Sequence, residues 1–218
     1  MIDGADEAVL REYAKLAGEY DRRWARYLAA SVALLRPALA GRDLGDVLDV
    51  GCGTGLVLRA LAECDATVRR YTGADPAAEM LAVAAERARG IAIPHDFVAA
   101  PAEALPFDPA SFDTAVSASS LHYWTAPERA LDGIHRALRP GGRFVLLDWC
   151  RDSPAMKAMN AAMRLRRIPY HRMWSTAELR ALLEGAGFRV GGVAHGPAGG
   201  GWRLVRIEAR LPDPPRGD

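Results

Sequence analysis

Val47-Leu-Asp-Val-Gly-Cys-Gly-Thr-Gly55 is the stretch of sequence that decides the fold. It opens on a short apolar run, Val47, Leu48 and Val50, as expected of a strand buried on both faces of a parallel sheet. The run stops at three glycines in alternate positions, and a helical stretch continues to about Cys64. Glycine lets the main chain turn sharply and approach a ligand with no Cβ atom in between. The segment therefore predicts a strand, a loop suited to ligand binding and a helix.

Strands and helices alternate along the chain after this loop. Strands separated by helices imply crossover connections and a parallel sheet with helices on both sides. The last two strands are joined by a glycine-rich link without a helix, which indicates an antiparallel hairpin at one edge of the sheet. The predicted strands are Val68–Ala74, Phe97–Ala100, Phe112–Ala118, Arg143–Trp149, Phe188–Ala194 and Trp202–Ala209, and the predicted helices are Pro76–Arg89, Pro127–Leu138 and Thr176–Gly185.

The first forty residues are predicted to be helical. Apolar side chains from Ala8 to Ala17 recur at helical spacing, and a second helix follows Asp21. The face of that second helix is formed by Trp24, Leu28, Ser31, Leu35 and Leu39. We expect an N-terminal helical lid at residues 1–42, a main domain at 43–211 with a substrate-side insertion at 150–174, and a flexible tail at 212–218.

The composition is that of one soluble globular domain. The chain has 218 residues, enough for one substantial domain and too few for two ordinary ones. With 28 basic against 27 acidic residues it lacks the positive excess of a nucleic-acid binder. Its three cysteines are widely spaced and make neither a disulfide framework nor a metal-ligand set. No apolar run approaches the roughly 20 residues of a bilayer span and no signal peptide is evident, so we expect a cytoplasmic protein.

Two carboxylates give the glycine loop a more definite chemistry. A dinucleotide-binding fingerprint needs its third glycine at position 56, where this chain has Leu56. Asp49 stands at the mouth of the loop, where a carboxylate suits a cationic group better than a pyrophosphate. Asp75 ends the next predicted strand, at a position from which an acidic side chain accepts hydrogen bonds from both ribose hydroxyls. The alternative is that Asp75 only caps the helix predicted to begin at Pro76.

Five segments between Asp46 and Trp149 carry a family resemblance that the loop alone does not. In chain order they are Val47–Gly55, Gly73–Leu81, Ala102–Asp108, Phe112–Val116 and Leu138–Gly142. In order and spacing they resemble the glycine motif, ribose-binding segment, adenine-proximal loop, fourth strand and following turn of class I S-adenosylmethionine-dependent methyltransferases. The resemblance implies an α/β, Rossmann-like three-layer sandwich whose seven-stranded, mostly parallel sheet has an antiparallel edge strand. It also implies S-adenosylmethionine as cofactor and direct methyl transfer without a metal.

The resemblance further implies which residues hold the cofactor. The three glycines would shape the loop under its methionine part, Asp49 would contact its amino group directly or through water, and Asp75 would hold the ribose hydroxyls. One departure concerns Ala100-Pro101, which stand where many relatives carry an acidic residue for the adenine amino group. Adenine recognition would then rest on packing and backbone contacts. The implied cofactor-binding residues are Tyr20, Asp49, Gly51, Gly53, Gly55, Asp75, Pro76, Met80, Ala102, Glu103 and Ser117.

The acceptor side is less well defined by the sequence. Ser119–Trp124 follows the fourth strand and lacks the Asn- or Asp-Pro-Pro-aromatic motif of enzymes that methylate base or amide nitrogens. His122 falls where a neutral imidazole takes a proton from an acceptor hydroxyl, thiol or amine. The alternative is a structural, cofactor-covering histidine, as relatives commonly carry here. Tyr123 and Trp124 are interpreted as packing or pocket wall.

Two segments resemble lids over such a site. Tyr13–Asp21 is similar to the lid of small-molecule and quinone methyltransferases, which makes Tyr20 either a cofactor contact or a plain helix-junction tyrosine. The insertion after the fifth strand is the second lid. An acidic and aromatic pocket there suits an amine, and an apolar aromatic pocket suits a quinone or phenol. Its chemically capable members are Asp148, Tyr170, His171 and Trp174, and the catalytic candidates are His122, Tyr170 and His171.

Arginines beside aromatic residues leave membrane contact open. Basic groups next to interfacial aromatics hold a helix on anionic lipid, and the alternative is a solvated face of an arginine-rich protein. The main hypothesis is methyl transfer to a small-molecule or lipid acceptor. Its rivals are a non-catalytic cofactor-binding scaffold, a peripheral-membrane phospholipid or quinone methyltransferase and, weakest, a nicotinamide oxidoreductase; the oligomeric state stays open. The residues concerned are Arg164, Arg166 and Arg167, with Arg22, Arg23 and Arg26 beside Trp24 and Tyr27.

Overall fold

A computed structural model of the chain describes residues 19–166, 168 and 170–213. The helix predicted at Ala8–Ala17, Arg167 of the arginine cluster, and positions 214–218 of the tail lie outside these residues. The strands are β1 (Asp43–Val50), β2 (Thr67–Asp75), β3 (His95–Ala99), β4 (Phe112–Ala118), β5 (Leu138–Trp149), β6 (Arg189–Gly199) and β7 (Trp202–Arg210). The helices are α1 (Tyr20–Arg23), α2 (Ala25–Leu39), α3 (Leu56–Ala62), α4 (Ala78–Arg87), α5 (Pro127–Ala137), α6 (Pro154–Leu165) and α7 (Thr176–Gly185).

The seven strands form one sheet in the order β3-β2-β1-β4-β5-β7-β6. The first five run parallel, while β7 pairs antiparallel with both β5 and β6. The prediction of a mostly parallel α/β sheet with an antiparallel hairpin at one edge is confirmed. Within that hairpin β6 is the edge strand, and β7 lies between β5 and β6. The strand order reverses between β1 and β4, and in such sheets the crevice at the carboxyl ends of these two strands is where ligands bind.

The molecule has three layers, with the sheet between two layers of helices. An apolar cluster lies between the sheet and the helices on each face. One face is covered by α5 and α7, which bury Leu131 and Leu183. The other is covered by α2 and α3, which bury Leu35 and Leu58. Strands between the layers carry apolar side chains to both, so their sequences are apolar runs without alternation. The predicted three-layer sandwich is confirmed.

Three local features differ from the sequence-based prediction. Trp24 precedes α2 and is 36% exposed, and the buried face of that helix contains Tyr27 instead of Trp24. The fifth strand begins at Leu138, which pairs with Phe112, five residues before the predicted start. The predicted insertion at 150–174 contains a helix, α6, that the sequence analysis did not identify; the side chain of Ser153 caps it by accepting from the backbone N–H of Met156.

Candidate active site

A cavity of about 530 Å³ occupies the crevice at the carboxyl ends of β1, β2 and β4. Its volume lies within the range of about 300–1,000 Å³ that holds cofactor-sized ligands. Most of the predicted cofactor-binding residues line it, namely Tyr20, Gly51, Gly53, Asp75, Pro76, Met80, Ala102 and Glu103. Three predicted members, Asp49, Gly55 and Ser117, are not among the lining residues.

The loop after β1 turns at Gly51 because another chain segment lies against it. Gly51 has a φ of 74°, and its N–H donates to the carbonyl of Ala74 at 2.8 Å. A Cβ atom at position 51 would lie 2.3 Å from the Cβ of Ser120. Only glycine fits both the left-handed backbone and this approach.

Asp75 holds the loop from the end of β2. Its Oδ2 accepts the N–H of Gly53 at 2.9 Å, and its Oδ1 accepts the N–H of Ala77 at 2.9 Å. Burial raises the pKa of Asp75, while these two backbone bonds oppose that rise. Both interpretations of Asp75 are compatible with this position, because the carboxylate orders the start of α4 and also lines the cavity.

Asp49 lies beneath the loop and outside the cavity lining. Its side chain is fully buried, and its Oδ2 accepts the hydroxyl of Tyr71 at 2.6 Å. Its Oδ1 is also buried and has no hydrogen-bond partner among the described residues. Burial raises the pKa of Asp49 to about 7, helped by the nearby charge of Asp75 and opposed by the Tyr71 bond.

This buried carboxylate predicts a pH-dependent stability. Because the folded-state pKa of Asp49 is raised, the stability it contributes is present below its ordinary pKa and is lost as pH rises through about 7. We expect the free energy of unfolding of the cofactor-free protein to fall by on the order of 4 kcal/mol between pH 4 and pH 8, relative to Asp49→Asn. Urea unfolding of both proteins across this range measures the difference. Parallel pH curves for the two proteins would contradict the assignment.

Part of the cavity lining consists of packed apolar side chains beside a carboxylate that is held by backbone hydrogen bonds. Met80 and Ala77 pack with Tyr20. Glu103 lies on the short turn after β3, and its Oε1 accepts the backbone N–H of Thr125 at 2.8 Å. The carboxylate of Glu103 thus ties two cavity-lining loops together.

An ionic cluster fastens the start of the described chain to the glycine loop. Asp21 accepts the hydroxyl of Thr54 at 2.7 Å and pairs with Arg59 at 2.6 Å and Arg87 at 2.7 Å. Its neighbour Tyr20 lines the cavity. Of the predicted lid segment Tyr13–Asp21, residues 13–18 lie outside the described residues, and Tyr20 and Asp21 lie beside the cavity and its glycine loop.

Gly55 and Ser117 lie next to the cavity-lining residues but do not line the cavity themselves. Gly55 has a φ of 78° and precedes α3, where an added Cβ would lie 3.4 Å from that of Ala84. Ser117 is buried, and its hydroxyl lies 2.8 Å from that of Ser120, which itself donates to the carbonyl of Val50. The neighbouring residues Ser120 and Gly51 do line the cavity.

His122 belongs to a buried dyad. Its Nδ1 lies 2.6 Å from Oδ1 of Asp148 and its backbone N–H donates to Oδ2 of the same carboxylate at 3.1 Å. Because a carboxylate accepts, Nδ1 is the donor of this bond, and in a neutral imidazole that tautomer leaves the lone pair on Nε2. That Nε2 is buried with no hydrogen-bond partner among the described residues. The imidazole stacks on Trp149, 3.5 Å between centroids, and is only 2% exposed.

The three catalytic candidates do not line the cavity. Tyr170 donates its hydroxyl to Oδ1 of Asn160 at 2.8 Å, and His171 donates its backbone N–H to the carbonyl of His122 at 2.9 Å. His122 approaches the cavity through Tyr123, which lines it and whose ring centroid is 4.1 Å from that of His122. The rings of Tyr123 and Trp149 lie against His122, and a catalytic role for His122, Tyr170 and His171 stays a prediction.

Ser119 is a site residue that sequence reasoning missed. It lines the cavity with a φ of 60°, a left-handed conformation that costs a residue other than glycine roughly 1–2 kcal/mol. Its hydroxyl lies 2.6 Å from that of Tyr27, which accepts Nε1–H of Trp149 at 2.9 Å. Burial, followed by the charge of Asp148, raises the pKa of Tyr27 well above its ordinary value, so the phenol keeps its proton. The sequence offered no sign of strain at a serine.

A second group of reactive side chains lies at the start of α7. The ligand atoms of Cys150, Asp152 and His195 are within 4.8 Å of one another. The hydroxyl of Thr176 lies among them, 3.4 Å from the Cys150 sulfur, 2.6 Å from Asp152 and 2.9 Å from His195. These side chains therefore satisfy one another, and Cys52, Cys64 and Cys150 are all free thiols.

Comparison with known proteins agrees with this fold. Residues 48–146 match the family described as "Methyltransferase domain". The chain is 35% identical over 156 residues to the ubiquinone/menaquinone biosynthesis C-methyltransferase UbiE of Rubrivivax gelatinosus, covering 66% of this chain and 57% of that one. It is 36% identical over 149 residues to the O-methyltransferase resE of Aspergillus sclerotiorum, covering 66% and 52%.

A solved structure extends the likeness to nearly the whole chain. The 1,6-didemethyltoxoflavin-N1-methyltransferase of Burkholderia thailandensis, solved with 1,6-didemethyltoxoflavin and S-adenosylhomocysteine, superposes with a TM-score of 0.69. The sequence identity is 25%, over 98% of this chain and 92% of that one.

The fold and the position of the cavity are those of an α/β domain of the methyltransferase type. Residues 48–146 form a methyltransferase domain, and the relatives named above place it with the class I S-adenosylmethionine-dependent methyltransferases. The chain spans between about half and three-fifths of the length of the two curated relatives named above.

Proposed function

We propose that this protein transfers a methyl group from S-adenosylmethionine to a small-molecule acceptor. The observation that carries the proposal is the cavity in which the glycine loop, Asp75 and the adenine-side loop converge. When bound, S-adenosylmethionine supplies an electrophilic methyl group on a sulfonium. Alignment of donor and acceptor and exclusion of water are then the main tasks left to the protein.

The residues present fit this cofactor. A Cβ at Gly53 would meet nothing within 4 Å, so the loop leaves free space on the cavity side. Each carboxylate oxygen of Asp75 accepts one backbone N–H, from Gly53 or from Ala77, and has a further lone pair that can accept a ribose hydroxyl. Asp49 has one buried, unpartnered oxygen among the described residues, and a cofactor ammonium nearby would favour its ionised form. The remaining implied contacts are assigned to Tyr20, Pro76, Met80, Ala102 and Glu103, with Gly51, Gly55 and Ser117 supporting the loop.

We assign proton removal from the acceptor to the His122–Asp148 dyad. Asp148 fixes the tautomer that leaves Nε2 as the free lone pair, which is the arrangement of a general base. The assignment requires Tyr123, which lies against His122 and lines the cavity, to move so that an acceptor can reach Nε2. We also assign the donor role in the Tyr27–Ser119 hydrogen bond to Tyr27, which already accepts Nε1–H of Trp149. The hydroxyl hydrogen of Ser119 would then orient an acceptor group in the cavity. Tyr170 and His171 are assigned to supporting this dyad.

The base assignment predicts a selective kinetic defect in His122→Asn. Asparagine can still donate an amide N–H to Asp148 but has no counterpart of Nε2. We expect kcat to fall by about 10²–10⁴-fold while the cofactor dissociation constant changes little. Initial rates with a responsive acceptor, together with calorimetry, separate the two effects. His135→Asn is the matched control, since His135 is exposed on α5 beside Phe188; equal losses in both variants would remove the assignment.

We also propose that the residues before position 43 form the lid of domain 43–211, and that the 150–174 insertion borders the acceptor. The Asp21 cluster and the cavity-lining position of Tyr20 support the lid. The placement of the insertion beside the acceptor is supported by two contacts: Trp149 stacks on His122, and Tyr170 of the insertion contacts Trp149. Residues 212–218 are proposed as the tail, and the cytoplasmic location stays a prediction.

An acceptor screen tests the function as a whole. The named relatives include a C-, an O- and an N-methyltransferase, so the acceptor atom does not follow from kinship. Labelled cofactor offered with quinols, phenols, amines, thiols and phospholipids would show label transfer to at least one class. Cofactor binding without formation of S-adenosylhomocysteine in any mixture, cell extract included, would favour the non-catalytic scaffold instead.

Peripheral membrane contact is a second candidate, favoured by one observation. The exposed large apolar side chains of the described residues are Trp24, Leu165 and Ile168, each close in sequence to an arginine. Among the described residues no helix is long and apolar enough to cross a bilayer. Sedimentation with anionic vesicles tests surface attachment, and recovery of all the protein in the supernatant would dismiss it.

A further inference from the structure

A second cavity, of about 350 Å³, lies outside the cofactor cavity and is lined mainly by arginines. Its lining residues come from the segment after β5, from α6 and from the segment before α7. It shares no lining residue with the cofactor cavity. The lining residues are Arg151, Asn160, Arg164, Arg172 and Met173.

Two of the arginines are held in place. Arg151 donates Nε–H to the carbonyl of Met173 at 2.9 Å and Nη2–H to Oε1 of Glu178 at 2.6 Å. Arg172 donates Nη2–H to the same oxygen at 2.7 Å, and its guanidinium carbon lies 4.1 Å from the centre of the Trp174 ring. A guanidinium fixed in this way keeps donors for a further ligand and loses little conformational entropy on binding one.

The third arginine and the amide add unused donors. Arg164, on α6, forms no ion pair with any residue that the structure describes. The amide oxygen of Asn160 accepts the Tyr170 hydroxyl at 2.8 Å, which leaves the Asn160 NH₂ group as a donor. The lining thus offers hydrogen-bond donors, while the Met173 carbonyl is already occupied by Arg151.

The charges at this cavity do not balance. Glu178 faces Arg151 and Arg172, and its second oxygen, Oε2, accepts the backbone N–H and the hydroxyl of Ser175 at 2.8 Å each. Burial opposes ionisation of Glu178, but the bonds from Ser175 and Arg172 and the charge of Arg151 lower its pKa to about 2. One permanent negative charge therefore stands against three positive ones. Lys157, two turns before Arg164 on α6, adds another positive charge near the same helix face.

We propose that the arginine cavity is an anion site that binds a phosphate-type dianion. The planar, multiply donating guanidinium group matches phosphate oxygens, and a dianion neutralises the excess charge. The phosphate is carried either by a free molecule or by a lipid headgroup. Leu165, next to Arg164 in sequence, is 86% exposed, and Ile168 is 42% exposed, so apolar surface adjoins the arginines.

The test compares Arg164→Gln with Arg166→Gln. Both arginines are exposed, but only Arg164 lines the cavity. In calorimetric titrations with inorganic phosphate, we expect saturable binding by the wild type, a loss of about tenfold or more in Arg164→Gln and a change within about twofold in Arg166→Gln. Thermal unfolding of each variant checks that the fold is intact. No saturable binding by the wild type, or equal losses in the two variants, would overturn the site.

A vesicle experiment identifies the carrier of the phosphate. The wild type and both variants are sedimented with phosphatidylcholine vesicles that contain or lack phosphatidic acid. Retention that depends on phosphatidic acid, is lost in Arg164→Gln and is displaced by inorganic phosphate supports a headgroup. No retention, together with the calorimetric result expected above, supports a free phosphate ligand. Retention could instead be equal in both variants and insensitive to phosphate. That result would show that the cavity does not bind the lipid headgroup, and it would overturn the lipid as carrier of the phosphate.

Discussion

Asp75→Ala is expected to weaken binding of S-adenosylhomocysteine by about a hundredfold or more. In the cofactor-free protein the carboxylate accepts the N–H groups of Gly53 and Ala77, so its loss frees the glycine loop and the start of α4. Alanine also removes the acceptors proposed for two ribose hydroxyls. A hydrogen bond to a charged group contributes about 1.5–3 kcal/mol, so the loss of two such bonds accounts for a change of this size. Isothermal titration calorimetry measures the effect.

Asp96→Ala is the matched control for this prediction. Asp96 lies on the neighbouring strand β3, but it is exposed and pairs with Arg70 away from the cavity. We expect its variant to bind S-adenosylhomocysteine like the wild type. Thermal unfolding of Asp75→Ala distinguishes a loosened loop, which lowers the melting temperature slightly, from general unfolding. Wild-type affinity in a folded Asp75→Ala protein would show that the ribose site has been misplaced.

The sequence predicted the strands and helices best where local pattern and tertiary structure agree. The bounds of β4 and α7 match the prediction because a buried apolar run defines the strand, and Ser175 with Glu178 forms a capping box at the helix start. The fifth strand was predicted too short. Pro140-Gly141-Gly142 reads locally as a turn, yet pairing of Leu138 with Phe112 draws these residues into the sheet.

The cavity could be predicted, and the shielding of the acceptor side could not. Glycines and carboxylates at strand ends follow from sequence order, because the carboxyl ends of parallel strands meet at one edge. The burial of His122 depends instead on Trp149 and Asp148, 27 and 26 residues away in sequence. The hydroxyl of the left-handed Ser119 likewise contacts Tyr27, which comes from α2 and lies 92 residues away in sequence. Long-range packing of this kind leaves no periodic signal in one sequence.

Gly53→Val is expected to abolish cofactor binding while leaving a folded protein. A Cβ at position 53 meets nothing within 4 Å, so the valine side chain would stand in the space proposed for S-adenosylmethionine. The φ of 52° adds a backbone cost of about 1–2 kcal/mol, which lowers the melting temperature without unfolding the chain. Gly51→Val differs, because its Cβ would lie 2.3 Å from that of Ser120 and must displace a loop. We expect loss of stability as well as of binding there.

Gly90→Val isolates the backbone cost from the blocked cavity. Gly90 is exposed, has a φ of 83° and also has nothing within 4 Å of an added Cβ, but it is not part of the cavity lining. Its variant should lose stability much as Gly53→Val does and keep its affinity for S-adenosylhomocysteine. If Gly53→Val retained the same affinity as Gly90→Val, the space above the loop would not be where the cofactor lies. The comparison therefore tests the position of the cofactor separately from the strain that any side chain causes in a left-handed turn.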